Sequence, residues 1–286
     1  MQRSTTHVPD TMSAGPVRTT AMPLHHVSYG EGVPVLAVHG WTPDHRLMSG
    51  CLEPVFADLT GYRRIYPDLP GMGRSPAGSI DSSDGMLDAV LEFVDDEIGT
   101  EPFLLLGESY GGYLARAIAA RRPEQVLGLG LICPIGLAVE NAERTVPEHV
   151  VLRSTPGLLD GLDEQAAADF TEITVVQTRE TLQAFLADVA PGLDVADTEA
   201  MARIRKNWTL STPPESGPAY ERPTLILCGR QDSSTGYADQ WPLLPHYPRA
   251  TYAVLDAAGH NLQLEQPELF AALVREWLRR VSLEAT

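Results

Sequence analysis

The run LLLGESYGG, residues 104–112, sets one hydroxyl, Ser109, among three glycines. An apolar stretch, Phe103 to Leu106, stops at Gly107, and YLARAIAA, rich in helix formers, begins at Tyr113. Gly107-Glu108-Ser109-Tyr110-Gly111 is a G-x-S-x-G pattern. A strand before it and a helix after it are the context in which that pattern carries a nucleophile. A side chain at the tip of so tight a turn needs strained backbone angles. Neighbours with a Cβ would clash, so Gly107 and Gly111 make room, and Gly112 lets the helix pack close to an adjacent strand. The hydroxyl then stands at a helix N-terminus, whose amides favour developing negative charge.

A neutral serine is a poor nucleophile and needs a base. His260, which ends ATYAVLDAAGH just past an expected strand, is the expected base. His7 falls in the polar N-terminal stretch. His25 and His26 lie near the first strand and alternate to opposite faces. His149 and His246 sit in less telling surroundings. The base needs an acid that holds its tautomer and stabilises the imidazolium. Asp232, which ends LILCGRQD after the preceding strand, is the expected acid, with Asp256 as a rival four residues before His260. Acyl transfer also needs oxyanion donors, each worth roughly 2.7–4 kcal/mol. The backbone amide of Tyr110 offers one. The turn His39-Gly40-Trp41, after the strand VPVLAV, aims the Trp41 amide at the same point, with His39 bracing the loop.

These groups need a scaffold that delivers them to one edge. Strand-like runs recur: HHVSYG, VPVLAVHG, YRRIYPDLPG, PFLLLG, VLGLGLICP, PTLILCG and ATYAVLD. Between them lie helical patterns. Leu87, Val90, Leu91, Val94 and Ile98 form one helical face. The helix after the serine is stopped by Pro123, and the last helix opens at Pro267. Strands apolar on both faces, alternating with helices, predict an α/β fold with a mostly parallel central sheet flanked by helices. Open parallel sheets place their sites at the strand ends, where Ser109, Asp232 and His260 all fall. The alternation breaks from about 136 to 220, where the text is helical, acidic and alanine-rich. The expected organisation is a flexible tail over 1–20, a core over 21–135 and 220–286, and a helical lid inserted over 136–219.

The chain has 286 residues, enough for one large core without metal or disulfide support. Its net charge is −17, a field that repels phosphate backbones, so nucleic acid is an unexpected partner. Cys51, Cys133 and Cys228 are too few and too widely spaced for a zinc site or disulfide framework. Neither a signal-peptide core nor an apolar run long enough for a membrane span occurs, so a soluble cytoplasmic protein is expected. Charge and composition leave oligomeric state open.

Together these residues resemble the α/β-hydrolase superfamily. The resemblance spans roughly residues 24–135 and 220–282, and adds DLPGMGRS at 68–75, GRQD at 229–232 and AAGHNLQLEQPELF at 257–270. It implies Ser109 as nucleophile, His260 as base, Asp232 as acid, and Trp41 and Tyr110 as backbone oxyanion donors. It also implies a lid after the family's sixth strand. Dehalogenases and epoxide hydrolases of this superfamily carry an aspartate at the elbow, so Ser109 argues against both. The elbow context also ranks proline-type aminopeptidases low.

The expected reaction is hydrolysis of a small-molecule carboxylic ester, thioester or lactone through an acyl-enzyme. No metal or organic cofactor is required. The same triad serves a second reading, hydrolysis of a C–C bond next to a ketone, and related machinery serves acyl transfer or perhydrolysis. A third reading is a non-catalytic binding protein; loss of a triad member would favour it, and all three are present. Leu152, Phe170, Phe185 and Trp208 of the expected lid, with Leu47 and Met72, are pocket-lining candidates whose alternative place is a packed core.

Overall fold

The protein is described here from a computed structural model covering residues 23–284. The expected tail over 1–20, with His7, lies outside these residues. β1 (His26–Tyr29), β2 (Val33–Val38), α1 (His45–Phe56), β3 (Tyr62–Pro67), α2 (Ser83–Glu97), β4 (Phe103–Glu108), α3 (Ser109–Arg121) and β5 (Val126–Ile132) come first. Then follow β6 (Arg153–Ser154), α4 (Glu164–Ile173), β7 (Val176–Gln177), α5 (Arg179–Asp188), α6 (Ala190–Leu193) and α7 (Thr198–Ile204). β8 (Thr224–Gly229), β9 (Ala250–Leu255), α8 (Leu262–Glu265) and α9 (Pro267–Ser282) complete the chain.

The seven strands of the main sheet run β1-β3-β2-β4-β5-β8-β9. All neighbours are parallel except β1, which pairs antiparallel with β3 at one edge. β4 and β8 are buried at every residue, and β2 and β5 at nearly all. Their side chains alternate between two cores. Leu36, Val38, Leu105, Leu129, Leu131 and Ile226 pack with α2 and α3. Val35, Ala37, Leu104, Leu106, Leu225 and Leu227 pack with α1 and α9. Such double burial is why the strands read as continuous apolar runs.

α1 is an element the strand-and-helix pattern does not announce. Its buried face is Leu47, Met48, Cys51, Leu52, Val55 and Phe56, but Pro54 sits inside it. Asp44 caps it, accepting from the Arg46 amide at 3.0 Å.

Between β5 and β8 the chain forms α4 to α7. It also forms one two-residue parallel ladder, Arg153–Val176 and Ser154–Gln177. Pairs that short carry no alternation to read. The segment follows the fifth strand among the described residues, because the sheet opens here at His26. It has its own small core: Phe170, Leu182, Phe185 and Val189 meet Leu47 of α1 and Leu264 of α8.

Both ends of the segment are held by one cation. Arg116 of α3 is 1% exposed and makes a bidentate pair with Glu215, at 2.7 and 3.0 Å. Its remaining amino group donates to the carbonyls of Ile135 and Gly136. Tyr247 donates to the same Glu215 at 2.8 Å. Burying these charges is tolerated because their hydrogen bonds are made. Removing one partner strands the other: Arg116→Ala is expected to cost about 3–5 kcal/mol of unfolding free energy, measured by urea denaturation. A loss below about 1 kcal/mol would contradict the pin.

Candidate active site

The strand order reverses at β2 and β4, whose C-terminal ends are therefore neighbours at a switch point of the sheet. Ser109 stands there as the first residue of α3, with φ +51°. A non-glycine residue pays on the order of 1–3 kcal/mol for such a torsion. The surroundings enforce it. A Cβ on Gly107 would lie 2.3 Å from the Gly111 carbonyl oxygen, and one on Gly111 would lie 2.3 Å from that of Val38. A Cβ on Gly112 would come within 2.9 Å of Pro134, just past β5, which is the close helix-to-strand approach expected of it.

His260 follows β9 and reaches Ser109 Oγ through Nε2 at 3.0 Å. Its Nδ1 meets Asp232 Oδ2 at 3.0 Å. Asp232, on the turn after β8, is fully buried. Its Oδ1 accepts from the amides of Ser234 and Thr235 at 2.8 and 3.0 Å, and its Oδ2 also accepts from the Thr235 hydroxyl at 2.7 Å. Burial alone would raise the Asp232 pKa, but the charge of His260 and these hydrogen bonds hold it below the ordinary carboxylate value. As Asp232 is an acceptor, Nδ1 carries the proton and Nε2 is left to face Ser109. Asp256 goes elsewhere, accepting from Gln231 at 2.8 Å on the surface.

Glu108 was not among the candidates from sequence. Its carboxylate is 2% exposed and lies 3.5 Å from His260 Nε2. Burial, and then the charge of Asp232, push its pKa up to about 7. For His260 burial acts downward, but the charge of Asp232, its hydrogen bond and the charge of Glu108 outweigh it and raise the pKa to about 9. Gly40 faces the same carboxylate: a Cβ there would lie 2.2 Å from Glu108 Oε2. A carboxylate inside an otherwise apolar strand end was the available signal.

Tyr110 is the second residue of α3, so no carbonyl within the helix can take its amide. Its ring meets Trp41 edge to face at 5.0 Å and stacks on Trp208 at 4.5 Å. Its hydroxyl donates to Ser83 at 2.8 Å, and Ser83 donates to the Trp208 carbonyl at 2.6 Å. Trp41 and Tyr110 thus flank Ser109 on a braced aromatic wall. His39 accepts from the Leu69 amide through Nε2 at 2.9 Å, so Nδ1 donates to the Gly40 carbonyl at 2.8 Å. Burial lowers its pKa, in keeping with this neutral tautomer. Asp68 organises the DLPGMGRS turn, accepting from the amides of His45 and Arg74 and meeting Nδ1 of His25 and His45, each at 2.8 Å.

Ser109, His260, Trp41 and Tyr110 open on a cavity of about 570 Å³, within the range of small-molecule sites. Of the pocket-lining candidates, Leu47 and Trp208 face it. Phe170 and Phe185 are buried in the small core of the intervening segment, Met72 in the main core, and Leu152 is exposed.

Among the described residues, two groups bring metal-ligating atoms within 4.8 Å of one another: His25, His45 and Asp68, and Cys133, Asp232 and His260. In the first, the Asp68 oxygens are already committed to four donors. In the second, burial pushes the Cys133 thiol well up, away from the thiolate a metal takes, and Asp232 and His260 hold each other.

A model of the Alpha/beta hydrolase family matches residues 35–273. The chain belongs to the alpha/beta hydrolase family. It is an alpha/beta hydrolase enzyme with similarity to several named ones. Pimeloyl-[acyl-carrier protein] methyl ester esterase of Shewanella woodyi is 28% identical over 279 residues, covering 90% of this hydrolase and 98% of that protein. 2-Hydroxymuconate semialdehyde hydrolase of Pseudomonas putida is 28% identical over 266 residues, covering 87% and 88%. The crystal structure of an alpha/beta superfamily hydrolase from Oenococcus oeni matches with a TM-score of 0.85 at 28% identity, covering 91% of this chain and all of that one. Among the described residues of this hydrolase, no helix is long and apolar enough to cross a membrane.

With His260 as the proposed base, a protonated imidazole cannot accept the serine proton, so activity is expected to rise with pH toward about 9, where His260 loses its proton. The negative charge of Glu108 favours the imidazolium. Glu108→Gln removes it, lowers the His260 pKa and moves the rising limb of kcat/KM to lower pH. A pH profile of the variant that stays in place or moves upward would contradict this coupling.

Proposed function

We propose that this hydrolase cleaves small-molecule carboxylic esters, thioesters or lactones through an acyl-enzyme. The observation that carries the reading is the relay of two 3.0 Å contacts from Ser109 Oγ through His260 to Asp232, beside a cavity of about 570 Å³. Ser109 attacks the carbonyl while His260 takes its proton. The Trp41 and Tyr110 amides hold the oxyanion. His260 returns the proton to the leaving group and then activates water against the acyl-enzyme. Asp232 keeps Nδ1 protonated throughout. Residues 136–219 act as a lid over the 21–135 and 220–286 core, and Leu47 and Trp208 help shape what enters.

A second reading is hydrolysis of a C–C bond next to a ketone. The Pseudomonas putida relative, named for a semialdehyde substrate, is as similar in identity as the esterase. The same three groups serve it, with proton delivery to carbon as the added demand.

p-Nitrophenyl esters from acetate to decanoate separate the readings. Wild type is expected to turn over at least one of them, and Ser109→Ala to lower kcat by a factor on the order of 10⁴–10⁶. Labelling of Ser109 by a fluorophosphonate without turnover of any ester would favour the C–C reading. Neither turnover nor labelling would leave a ligand-binding protein on a hydrolase fold.

A further inference from the structure

Two cations stand together in the wall of the cavity of an acidic chain. Of 21 basic residues facing 38 acidic ones, Arg144 and Arg205 stand in the wall that also holds Ser109 and His260. Arg144 follows a short helical turn, Asn141–Glu143, and Arg205 opens another, Arg205–Asn207, at the end of α7. Both are partly buried. Arg144 donates to the carbonyls of Val139 and Ser234 at 2.7 and 3.2 Å, while its Nε is buried and makes no hydrogen bond. Arg205 lies 4.0 Å over the Trp208 ring. Among the described residues, no ion pair joins either of them to a carboxylate. Arg116, the deeply buried arginine of α3, is by contrast matched with Glu215.

The two guanidinium groups belong to one cluster. The Val139 carbonyl accepts both from Arg144 and from Trp208 Nε1, the latter at 3.3 Å. Trp208 in turn stacks on Tyr110, next to the serine. Burial, and then the charge of Arg205, hold the Arg144 pKa below its ordinary value, against the smaller opposing charges of Asp232, Glu140 and Asp239. The Arg144 charge is also felt at His260. The other acids of the wall, Asp169, Glu172 and Asp194, belong to α4 and the turn after α6, and none pairs with either arginine. Two half-buried cations that repel each other are favoured when an anion joins them. A planar guanidinium fork matches a carboxylate. Four acids, Glu108, Asp169, Glu172 and Asp194, line the same cavity, so the two arginines are a local cationic spot in an otherwise acidic wall, a spot of the size of one carboxylate.

We propose that Arg144 and Arg205 form a carboxylate subsite, so that the preferred substrate is an anionic acyl compound bearing a free carboxylate besides the bond that Ser109 attacks. The inference rests on the serine hydrolase reading for the scissile bond and names the other end of the substrate.

The full chain carrying Ser109→Ala holds substrates uncut and permits a binding test. Calorimetry compares the monomethyl esters of straight-chain dicarboxylic acids, from succinate to suberate, with the dimethyl esters of the same acids. At least one monoester is expected to bind tenfold or more tightly than its diester. Arg144→Gln and Arg205→Gln, added singly, should each cut that ratio by roughly 10–100-fold or abolish it. Arg144→Lys and Arg205→Lys should restore part of it. A ratio near one at every chain length, or a ratio that the glutamine variants leave intact, overturns the subsite. Failure of the serine reading looks different. Serine-dependent cleavage of the diesters with no preference for a carboxylate sinks only the subsite. Arginine-dependent binding of a monoester, with no ester cut and no fluorophosphonate label on Ser109, sinks only the serine reading.

Discussion

The left-handed torsion of Ser109 is the constraint on which the rest of the site depends. At φ +51° the chain leaves β4 and enters α3 without a linking loop, and the hydroxyl is presented at the edge of the sheet. The strain is tolerated because both flanking elements are locked. β4 pairs on both sides along its length, and α3 is buried at every position from Ser109 to Ala119. The Ser109 carbonyl is itself held by the Ile135 amide at 3.1 Å, so the elbow is tied to the exit of β5. Relaxing the torsion would require moving the strand, the helix and that exit together. A reacting hydroxyl placed this way has little room to wander from its base.

Electrostatics sets the second condition. Asp232, Glu108 and His260 occupy one largely water-free region, and two carboxylates there compete for one imidazole. Asp232 has four hydrogen-bond donors and stays ionised. Glu108 contacts one edge of His260 and the Gly40 backbone, and burial drives its proton affinity up. The arrangement is asymmetric for a reason of geometry: Asp232 lies on a turn whose amides point at it, whereas Glu108 ends a strand whose amides are already spent on the sheet. The same two carboxylates make the imidazolium favourable, the charge state that the proposed acyl-transfer mechanism requires of His260.

Ser109, His260 and Asp232 were legible because each sits where an apolar run meets glycine or a turn, and the structure brings those three together. Trp41 and Tyr110 stand three and two positions past strand ends, and their rings meet beside Ser109. The sheet could be read from double-faced burial alone. What escaped were features that local pattern does not encode. α1 hid behind Pro54. Glu108 occupies a variable position of the G-x-S-x-G pattern, and its meaning lies in the distance to a histidine 152 positions later. Among the apolar pocket candidates, sequence could not separate Leu47 and Trp208 from Phe170 and Phe185. All four are apolar in helical or turn segments and all four are buried; the packing of α4 and α5 against α1 and α8 encloses Phe170 and Phe185, whereas Leu47 and Trp208 also border the cavity. Arg144 and Arg205 are 61 positions apart, and nothing in either stretch marks the pair.

The segment between β5 and β8 is bolted to the core at several points rather than hinged at its ends. Arg116 holds Ile135, Gly136 and Glu215. Glu265 of α8 accepts from the amides of Val175 and Val176, at 2.7 and 2.9 Å, and from that of Gly259 beside His260. Ser83 of α2 holds Trp208. These anchors connect the segment to Gly259, next to His260, and to the aromatic wall of Trp208, Tyr110 and Trp41. A change in its packing is therefore transmitted to His260 through Gly259 and to Tyr110 through Trp208. Arg144, Arg205 and Trp208, which line the cavity beside Ser109, are then held by the same anchors, and the selectivity we propose rests on where they stand rather than on how a loop closes.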